Sequence, residues 1–225
     1  MKKRILMVGG CSKIASHFIK RHHRKFIIDI TTHSSVPTGL PDSVNNFSLD
    51  LSENSSIKKL SRQLVNYRYD GILFFSGTYW ADECSNQKKL EESIKVNFLS
   101  SLELLDSLKL NNSSKIIFFT DEGISQPKRN YLSYSFSKAL LQDYIRLLAV
   151  KYSSTSSVIG IGLGPTVTDK TGQDKVKYFS KSLISVKNPC LGLVNLINFI
   201  IGEDNFYSTG RILPFDGGTY IRRTN

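Results

Sequence analysis

The segment RILMVGGCSKIASHFIKRHH (residues 4–23) joins a short apolar run to a helical pattern through two glycines. The apolar run is typical of a buried strand, and the residues after it have helical spacing. A strand that continues into a helix through Gly9 and Gly10 lets the backbone approach a pyrophosphate at the positive end of that helix. On these residues alone, a nucleotide site and an ordinary glycine turn are equally good interpretations, and the place of the turn after a first strand favours the former.

The remainder of the chain continues this alternation of apolar runs and helical patterns. Strands alternating with helices indicate parallel crossover units, so we predict an α/β fold, a Rossmann-like doubly wound parallel sheet flanked by helices. No shift in composition divides the chain, which predicts a single domain over residues 1–225. Further strands are predicted in 25–33, 44–52, 70–77, 114–122, 156–166 and 208–218, and further helices in 56–67, 90–110, 131–152 and 190–201.

Composition excludes several classes of protein. Hydrophobic content is 40% and charged content 22%, as in ordinary globular domains. The apolar run behind the basic N-terminus is too short for a signal peptide or a membrane span, so we predict a cytoplasmic protein with no membrane partner. Three widely spaced cysteines form no metal or disulfide pattern. The net charge of +11 is spread along the chain, which favours anionic small molecules over nucleic acid.

Asp50 follows the third predicted strand in LDLS (49–52). An aspartate at this point could accept a hydrogen bond from an adenine amino group. Aspartate is also favoured as the cap of a following helix. The local sequence favours the helix cap.

The segment DEGISQPKRNYLSYSFSKALL (121–141) places Tyr134 and Lys138 one helical turn apart. Tyrosine is a poor acid at neutral pH, and a nearby ammonium lowers its pKa. Such a pair could deliver the proton that accompanies a hydride. Taken alone, the spacing fits an amphipathic helix better than a catalytic pair. The order of features favours catalysis, because Asn97 and Asp121 precede the pair in turn.

That order resembles the short-chain dehydrogenase/reductase family over essentially the full chain. Asn97, Tyr134 and Lys138 match the family's catalytic residues, while Asp121 replaces the usual serine thirteen residues before the tyrosine. The segments LGPTVT (163–168) and TGRILPFDGG (209–218) look like its later motifs. The aspartate, together with GGCSKIA, TTH (31–33) and FFTDEGISQPKRNYLSYSFSKALL, is similar to the pteridine reductase branch, which includes bacterial dihydromonapterin reductases that also reduce dihydrofolate.

The resemblance implies which residues form the site. Asp121, Tyr134, Lys138 and Asn97 would be catalytic, and Tyr79 would stack on a pterin held beside Asp121 and Tyr134. No metal is implied. The cofactor would contact Gly9, Lys13, Ile14, Thr31, Thr32, His33, Asp50, Leu51, Ser76, Gly77, Thr120, Lys138, Pro165 and Thr166.

NADPH is the expected cofactor, with NADH possible. Lys13 stands where the branch has an arginine for the 2′-phosphate, and Thr31, Thr32 and Ser34 suit a phosphate. Asp29 could instead favour NADH by accepting from the ribose hydroxyls. The family's asparagine-rich segment after strand four is FFSG here, so Phe74 and Phe75 replace polar residues in one wall of the cofactor site.

The resulting hypothesis is an NADPH-dependent reductase of a dihydropterin: dihydromonapterin, dihydrobiopterin or dihydrofolate. In it, Lys138 lowers the pKa of Tyr134 and Asp121 orients the tyrosine. The proton comes from Tyr134 or from a water ordered by Asp121. The alternatives are a carbonyl or alcohol reductase of the same family and a non-catalytic nucleotide-binding relative. The resemblance also implies a homotetramer, with a homodimer as alternative. Residues 169–187 have the length and polarity of a loop that closes over substrate.

Overall fold

The computed structural model describes residues 1–75, 77–79, 81–82, 86–125 and 129–223. Their centre is a seven-stranded sheet in which every neighbouring pair is parallel. The strand order is β3-β2-β1-β4-β5-β6-β7. The strands are β1 (Arg4–Val8), β2 (Ile27–Thr32), β3 (Val44–Ser48), β4 (Arg68–Phe74), β5 (Lys109–Asp121), β6 (Ser156–Leu163) and β7 (Arg211–Phe215). The doubly wound α/β fold predicted from the sequence is confirmed.

Helices connect these strands. They are α1 (Lys13–His22), α2 (Asn54–Gln63), α3 (Gln87–Ile94), α4 (Ser100–Ser107), α5 (Leu132–Lys151), α6 (Gly172–Phe179), α7 (Pro189–Gly202) and α8 (Thr219–Arg223). None of the described helices is long and apolar enough to cross a membrane. The strand order reverses direction between β1 and β4, which is where ligands bind in open parallel sheets.

Two apolar cores lie on opposite faces of the sheet, because successive side chains of a strand point in opposite directions. Ile5 and Met7 of β1 join the core that contains α1 and α7. Leu6 and Val8 join the core that contains α2, α4 and α5. Burial of β1 on both faces explains why its sequence is a continuous apolar run rather than an alternating one. The sheet is thereby fixed between two layers of helices, and its carboxyl edge stays open for a site.

Two segments differ from the sequence prediction. The helix predicted over 90–110 begins earlier, at Gln87, and is interrupted by a π-helical turn at Lys95–Leu99. Its predicted last residues, Lys109 and Leu110, belong to β5 instead. The segment 169–187, predicted as a loop, contains the helix α6. Apolar spacing alone could not reveal the π turn, because it spans only five residues within the helical segment.

Candidate active site

The glycine turn after β1 brings the backbone closer to neighbouring groups than a residue with a side chain would allow. Gly9 has φ of +89°, which a residue with a side chain rarely adopts. A Cβ on Gly10 would lie 2.7 Å from the Cβ of Ile30, so β2 can approach the turn only because residue 10 is glycine. The hydroxyl of Ser12 accepts from the backbone amide of Ala15 at 3.0 Å and starts α1.

A cavity of about 300 Å³ opens between this turn and the ends of β2, β3 and β4. We call it the nucleotide cavity. It brings together a large share of the residues predicted to hold the cofactor: Gly9, Thr31, Thr32, His33, Asp50, Leu51 and Gly77. Ile14 does not line it, because its side chain is packed in the core with α7. Ser76 lies outside the described residues.

Asp50 faces the nucleotide cavity and does not cap a helix. The residue that precedes α2 is Glu53, and it makes no side-chain cap bond, so the helix-cap interpretation favoured from the sequence is wrong. The Asp50 carboxylate instead accepts from the hydroxyl and the amide of Ser52 at 2.7 and 2.8 Å. These bonds, together with His33 Nε2 at 3.2 Å, lower the pKa of Asp50. Asp50 is therefore held as a hydrogen-bond acceptor at the wall of the cavity.

Asp29 has a structural role. It is fully buried in β2, where Arg4 Nε donates to its carboxylate at 2.8 Å. Tyr69 and Asn45 also donate to it, at 2.9 and 2.7 Å. A carboxylate paired in this way is not available to ribose hydroxyls, so the structure does not support Asp29 as a determinant of NADH use.

Lys13 points away from the nucleotide cavity. Its ammonium pairs with the carboxylate of Asp169, which lies in the segment before α6. Thr31 and Thr32, the hydroxyls predicted to share a phosphate with Lys13, are buried at the end of β2 and line the nucleotide cavity. The structure therefore separates Lys13 from these hydroxyls.

Asn97 lies inside the π-helical turn, and its side chain bonds the segment after β4. Its amide oxygen accepts from the backbone of Thr78 at 2.6 Å, and its amide nitrogen donates to Ser137 Oγ at 2.9 Å. A Cβ on Gly77 would lie 2.9 Å from Asn97 Oδ1 and 3.4 Å from Lys138 Nζ. Asn97 therefore connects three parts of the site, and Gly77 leaves room for it.

Asp121, Tyr134 and Lys138 come together at the end of β5 and the first turns of α5. The Tyr134 hydroxyl donates to Asp121 Oδ2 at 3.3 Å, and Asp121 Oδ1 accepts from the Gly123 amide at 2.6 Å. The Lys138 ammonium is buried and donates to the carbonyl of Phe119 at 3.1 Å. The trio predicted from the sequence thus forms one cluster.

The pKa of Tyr134 differs from the expectation. Burial, and then the neighbouring Asp121 carboxylate, raise the pKa of Tyr134 well above its usual value. The expected lowering of this pKa by Lys138 is not found. Burial also lowers the pKa of Lys138 to about 8, although Asp121 acts in the opposite direction. Tyr134 is therefore held in its protonated form, and only the lysine of this pair titrates near neutral pH.

A second cavity, of about 280 Å³, opens over this cluster, and we call it the catalytic cavity. It is lined by several residues predicted for the site: Tyr79, Thr120, Asp121, Tyr134, Pro165 and Thr166. The ring of Tyr79 stacks on Tyr131 with centroids 4.7 Å apart and contacts the edge of Tyr134 at 4.8 Å. Tyr79 is still 57% exposed, so part of its surface faces the cavity.

Other residues of the catalytic cavity were missed from the sequence. Glu122 lines it, and burial and the charges of Asp216 and Asp121 raise its pKa. Tyr178 enters from α6, and Tyr220 from α8. The polar segment 169–187 indicated a covering element, but nothing in it distinguished Tyr178 from its neighbours. Within the described chain no cluster of side chains could hold a metal ion.

Phe74 and Phe75, which replace polar residues of the resembled family, pack against β5. Phe74 stacks on Phe118 with ring centroids 4.6 Å apart, and Phe75 stacks on Phe119 at 4.3 Å. The two pairs fill opposite faces of the sheet. The replacement is therefore an aromatic pairing between neighbouring strands.

Curated proteins that the chain resembles in sequence include two that are named as reductases. No family model matches the chain. Dihydromonapterin reductase from Escherichia coli O6:K15:H31 (strain 536) is 24% identical over 97% of each chain. The NADPH-dependent aldehyde reductase-like protein of Arabidopsis thaliana chloroplasts is 26% identical over 54% of this chain, which spans about half (47%) of that relative.

Solved structures match over nearly the whole chain. A short-chain dehydrogenase family protein from Francisella tularensis has a TM-score of 0.86 at 16% identity and covers 98% of this chain and 99% of its own. A short-chain dehydrogenase from Burkholderia cenocepacia in complex with NADP has a TM-score of 0.83 at 18% identity, over 96% and 97% of the two chains. This protein therefore has the fold of the short-chain dehydrogenases/reductases.

Proposed function

We propose that this protein is an NADPH-dependent reductase that converts a dihydropterin, such as dihydromonapterin, dihydrobiopterin or dihydrofolate, to its tetrahydro form. The observation that carries the proposal is the bond from the Tyr134 hydroxyl to the Asp121 carboxylate beside the buried Lys138 ammonium. The similarity to dihydromonapterin reductase over 97% of each chain supports the substrate class.

The residues present fit a dinucleotide. The positive-φ glycine turn exposes backbone at the start of α1, and the nucleotide cavity offers the Asp50 carboxylate and a wall of small residues. Gly9, Thr31, Thr32, His33, Asp50, Leu51 and Gly77 would hold the adenosine half. Thr120, Pro165 and Thr166 line the cavity that contains Tyr134 and would hold the nicotinamide half. When bound, NADPH supplies the hydride.

Tyr134 supplies the proton in this proposal. Reduction of the C6–N5 double bond of a 7,8-dihydropterin adds hydride at C6 and a proton at N5. Burial and Asp121 keep Tyr134 protonated at neutral pH, so its hydroxyl carries a proton for N5 once N5 becomes strongly basic through hydride addition at C6. Lys138 would hold the nicotinamide ribose. Asn97 keeps the segment at Gly77 and Thr78 against the lysine.

The walls of the catalytic cavity suit a flat heterocycle. The exposed part of the Tyr79 ring offers a stacking surface at the mouth of the cavity. The carboxyl groups of Asp121 and Glu122 are acceptors for the ring and amino N–H donors of a pterin. A simple ketone offers neither the flat ring nor these donors.

The test is NADPH oxidation with dihydromonapterin, dihydrobiopterin and dihydrofolate in parallel, with NADH as the cofactor control. Turnover of a pterin that falls at least about 100-fold in Tyr134→Phe, with NADPH affinity retained, is the expected result. Near-normal turnover in Tyr134→Phe would overturn the role of the tyrosine.

A carbonyl reductase is the second candidate, favoured by the similarity to the plant NADPH-dependent aldehyde reductase-like protein. Assays with aldehydes and simple ketones beside the pterins separate the two candidate functions. Only a pterin reductase should turn over pterins faster than it turns over aldehydes or ketones. NADPH binding without turnover of any substrate in the panel would instead indicate a non-catalytic relative.

A further inference from the structure

A third cavity lies apart from the nucleotide cavity and the catalytic cavity. It has a volume of about 490 Å³ and lies between α1, α6 and the start of α7. We call it the basic cavity. Its wall carries four lysines, one histidine and no carboxylate: Lys13, His17, Lys20, Lys175 and Lys187.

Three of these lysines have no ion-pair partner among the described residues. Asp169 neutralises Lys13 at one side of the cavity. Lys20, Lys175 and Lys187 make no side-chain hydrogen bond or ion pair within the described part of the chain. They come from α1, from α6 and from the segment before α7, so three separate parts of the chain place lysines around one cavity. A ligand of opposite charge could pair with all three.

The remaining wall adds donors. Ser16 and Thr168 contribute hydroxyls, and Asn188 ends the loop before α7. The first residues of α7 face the same space, and the positive end of that helix adds to the potential of the lysines. The volume lies within the range of small-molecule sites.

We propose that the basic cavity binds a small polyanion with at least two phosphate or carboxylate groups, as a site separate from the one that holds the cofactor. Lys20, Lys175 and Lys187 would contact its charged oxygens, with Ser16 and Thr168 as hydroxyl donors. A single monovalent anion could not pair with three lysines from three parts of the chain, which is why the expected ligand carries several charges.

The catalytic cavity adjoins the basic cavity, so the test must distinguish a separate anion site from the site of the cofactor phosphates. Thr166 and Val167 line both the basic cavity and the catalytic cavity, so the phosphates of the cofactor are another source of the same chemistry. Inorganic pyrophosphate is the probe, titrated by calorimetry into the full-length protein at constant ionic strength, with and without saturating NADPH. The binding of pyrophosphate to the basic cavity does not depend on which substrate the protein reduces.

Two double variants are compared, and each removes two positive charges from the protein. Lys20→Gln with Lys187→Gln is expected to weaken pyrophosphate binding about tenfold or more, since bonds to charged groups are lost. Lys58→Gln with Lys59→Gln, on the exposed face of α2, should leave it unchanged.

Binding that persists with NADPH bound and is lost only in the first pair supports the proposal. Binding that NADPH abolishes would assign the anion to the cofactor's own phosphate site and overturn it. If pyrophosphate affinity falls equally in both double variants, binding depends only on the overall charge of the protein. That result would also overturn the proposal.

Discussion

Replacing Lys138 with methionine should make the protein more stable while it removes activity. Lys138 is buried beneath the catalytic cavity, and burial lowers its pKa from 10.5 to about 8. One pKa unit corresponds to about 1.4 kcal/mol, so the charged side chain costs the fold about 3 kcal/mol at neutral pH. Methionine fills a similar space without charge. Loss of the bond to the Phe119 carbonyl costs about 1–2 kcal/mol, which leaves a net gain of about 1–2 kcal/mol.

The gain should depend on pH with a defined sign. Below about pH 8 Lys138 is charged in the folded and the unfolded chain, so the cost of burying the charge is complete. As the pH rises from about 8 to 10.5, the folded chain loses the proton first and the cost disappears. The advantage of Lys138→Met should therefore shrink by about 2 kcal/mol between about pH 7 and about pH 9.5.

The assay is urea unfolding at both pH values and one protein concentration, which gives the free energy of unfolding for the parent and the variant. Lys59→Met, at an exposed position on α2, is the control and should show no pH-dependent difference. An advantage that is absent, or equal at both pH values, would refute the inference that the fold buries a charged lysine for the sake of the reaction. NADPH oxidation with a dihydropterin completes the comparison, because Lys138→Met should be inactive.

Three further outcomes are expected. Gly77→Ala should lower turnover at least about tenfold by displacing Asn97, whereas Gly202→Ala, whose Cβ meets only an ordinary contact, should not; steady-state rates of both variants check this. Asp29→Asn should lower the free energy of unfolding by about 3 kcal/mol, measured in urea, without changing the ratio of NADPH to NADH affinity. If the homotetramer implied by the family resemblance forms through the exposed apolar face of α5, Leu147→Lys, at a 61% exposed position, should reduce the molar mass measured by light scattering.

The inner strands β1, β2, β4 and β6 could be predicted because they are buried on both faces and are therefore largely apolar runs. The residues that follow the parallel strands, such as Gly9, Asp50 and Asp121, then fall at one edge of the sheet by topology alone. The Tyr134–Lys138 pair could also be predicted, since its spacing brings both side chains to one face of α5.

The partners of the polar residues around the site could not be predicted, because they depend on contacts between distant segments of the chain. Whether Asp50 caps α2 or faces the cavity is decided by the bonds to Ser52 and by His33, which the local sequence does not specify. The burial of Asp29 depends on Arg4, which lies on the neighbouring strand. Lys13 has a partner, Asp169, that is more than 150 positions away in the sequence. Long-range charge pairs of this kind leave no periodic signal, so patterns of spacing could not reveal them.

Asp121 in place of a serine determines how readily Tyr134 gives up its proton. A serine hydroxyl near a tyrosine is neutral, whereas the Asp121 carboxylate opposes the formation of a tyrosinate 3.3 Å away. Tyr134 is therefore protonated at neutral pH, but it is a weak acid. Its proton can leave only as the accepting atom becomes strongly basic. In the proposed reaction that atom is N5 of the dihydropterin, which takes up negative charge as hydride adds to C6.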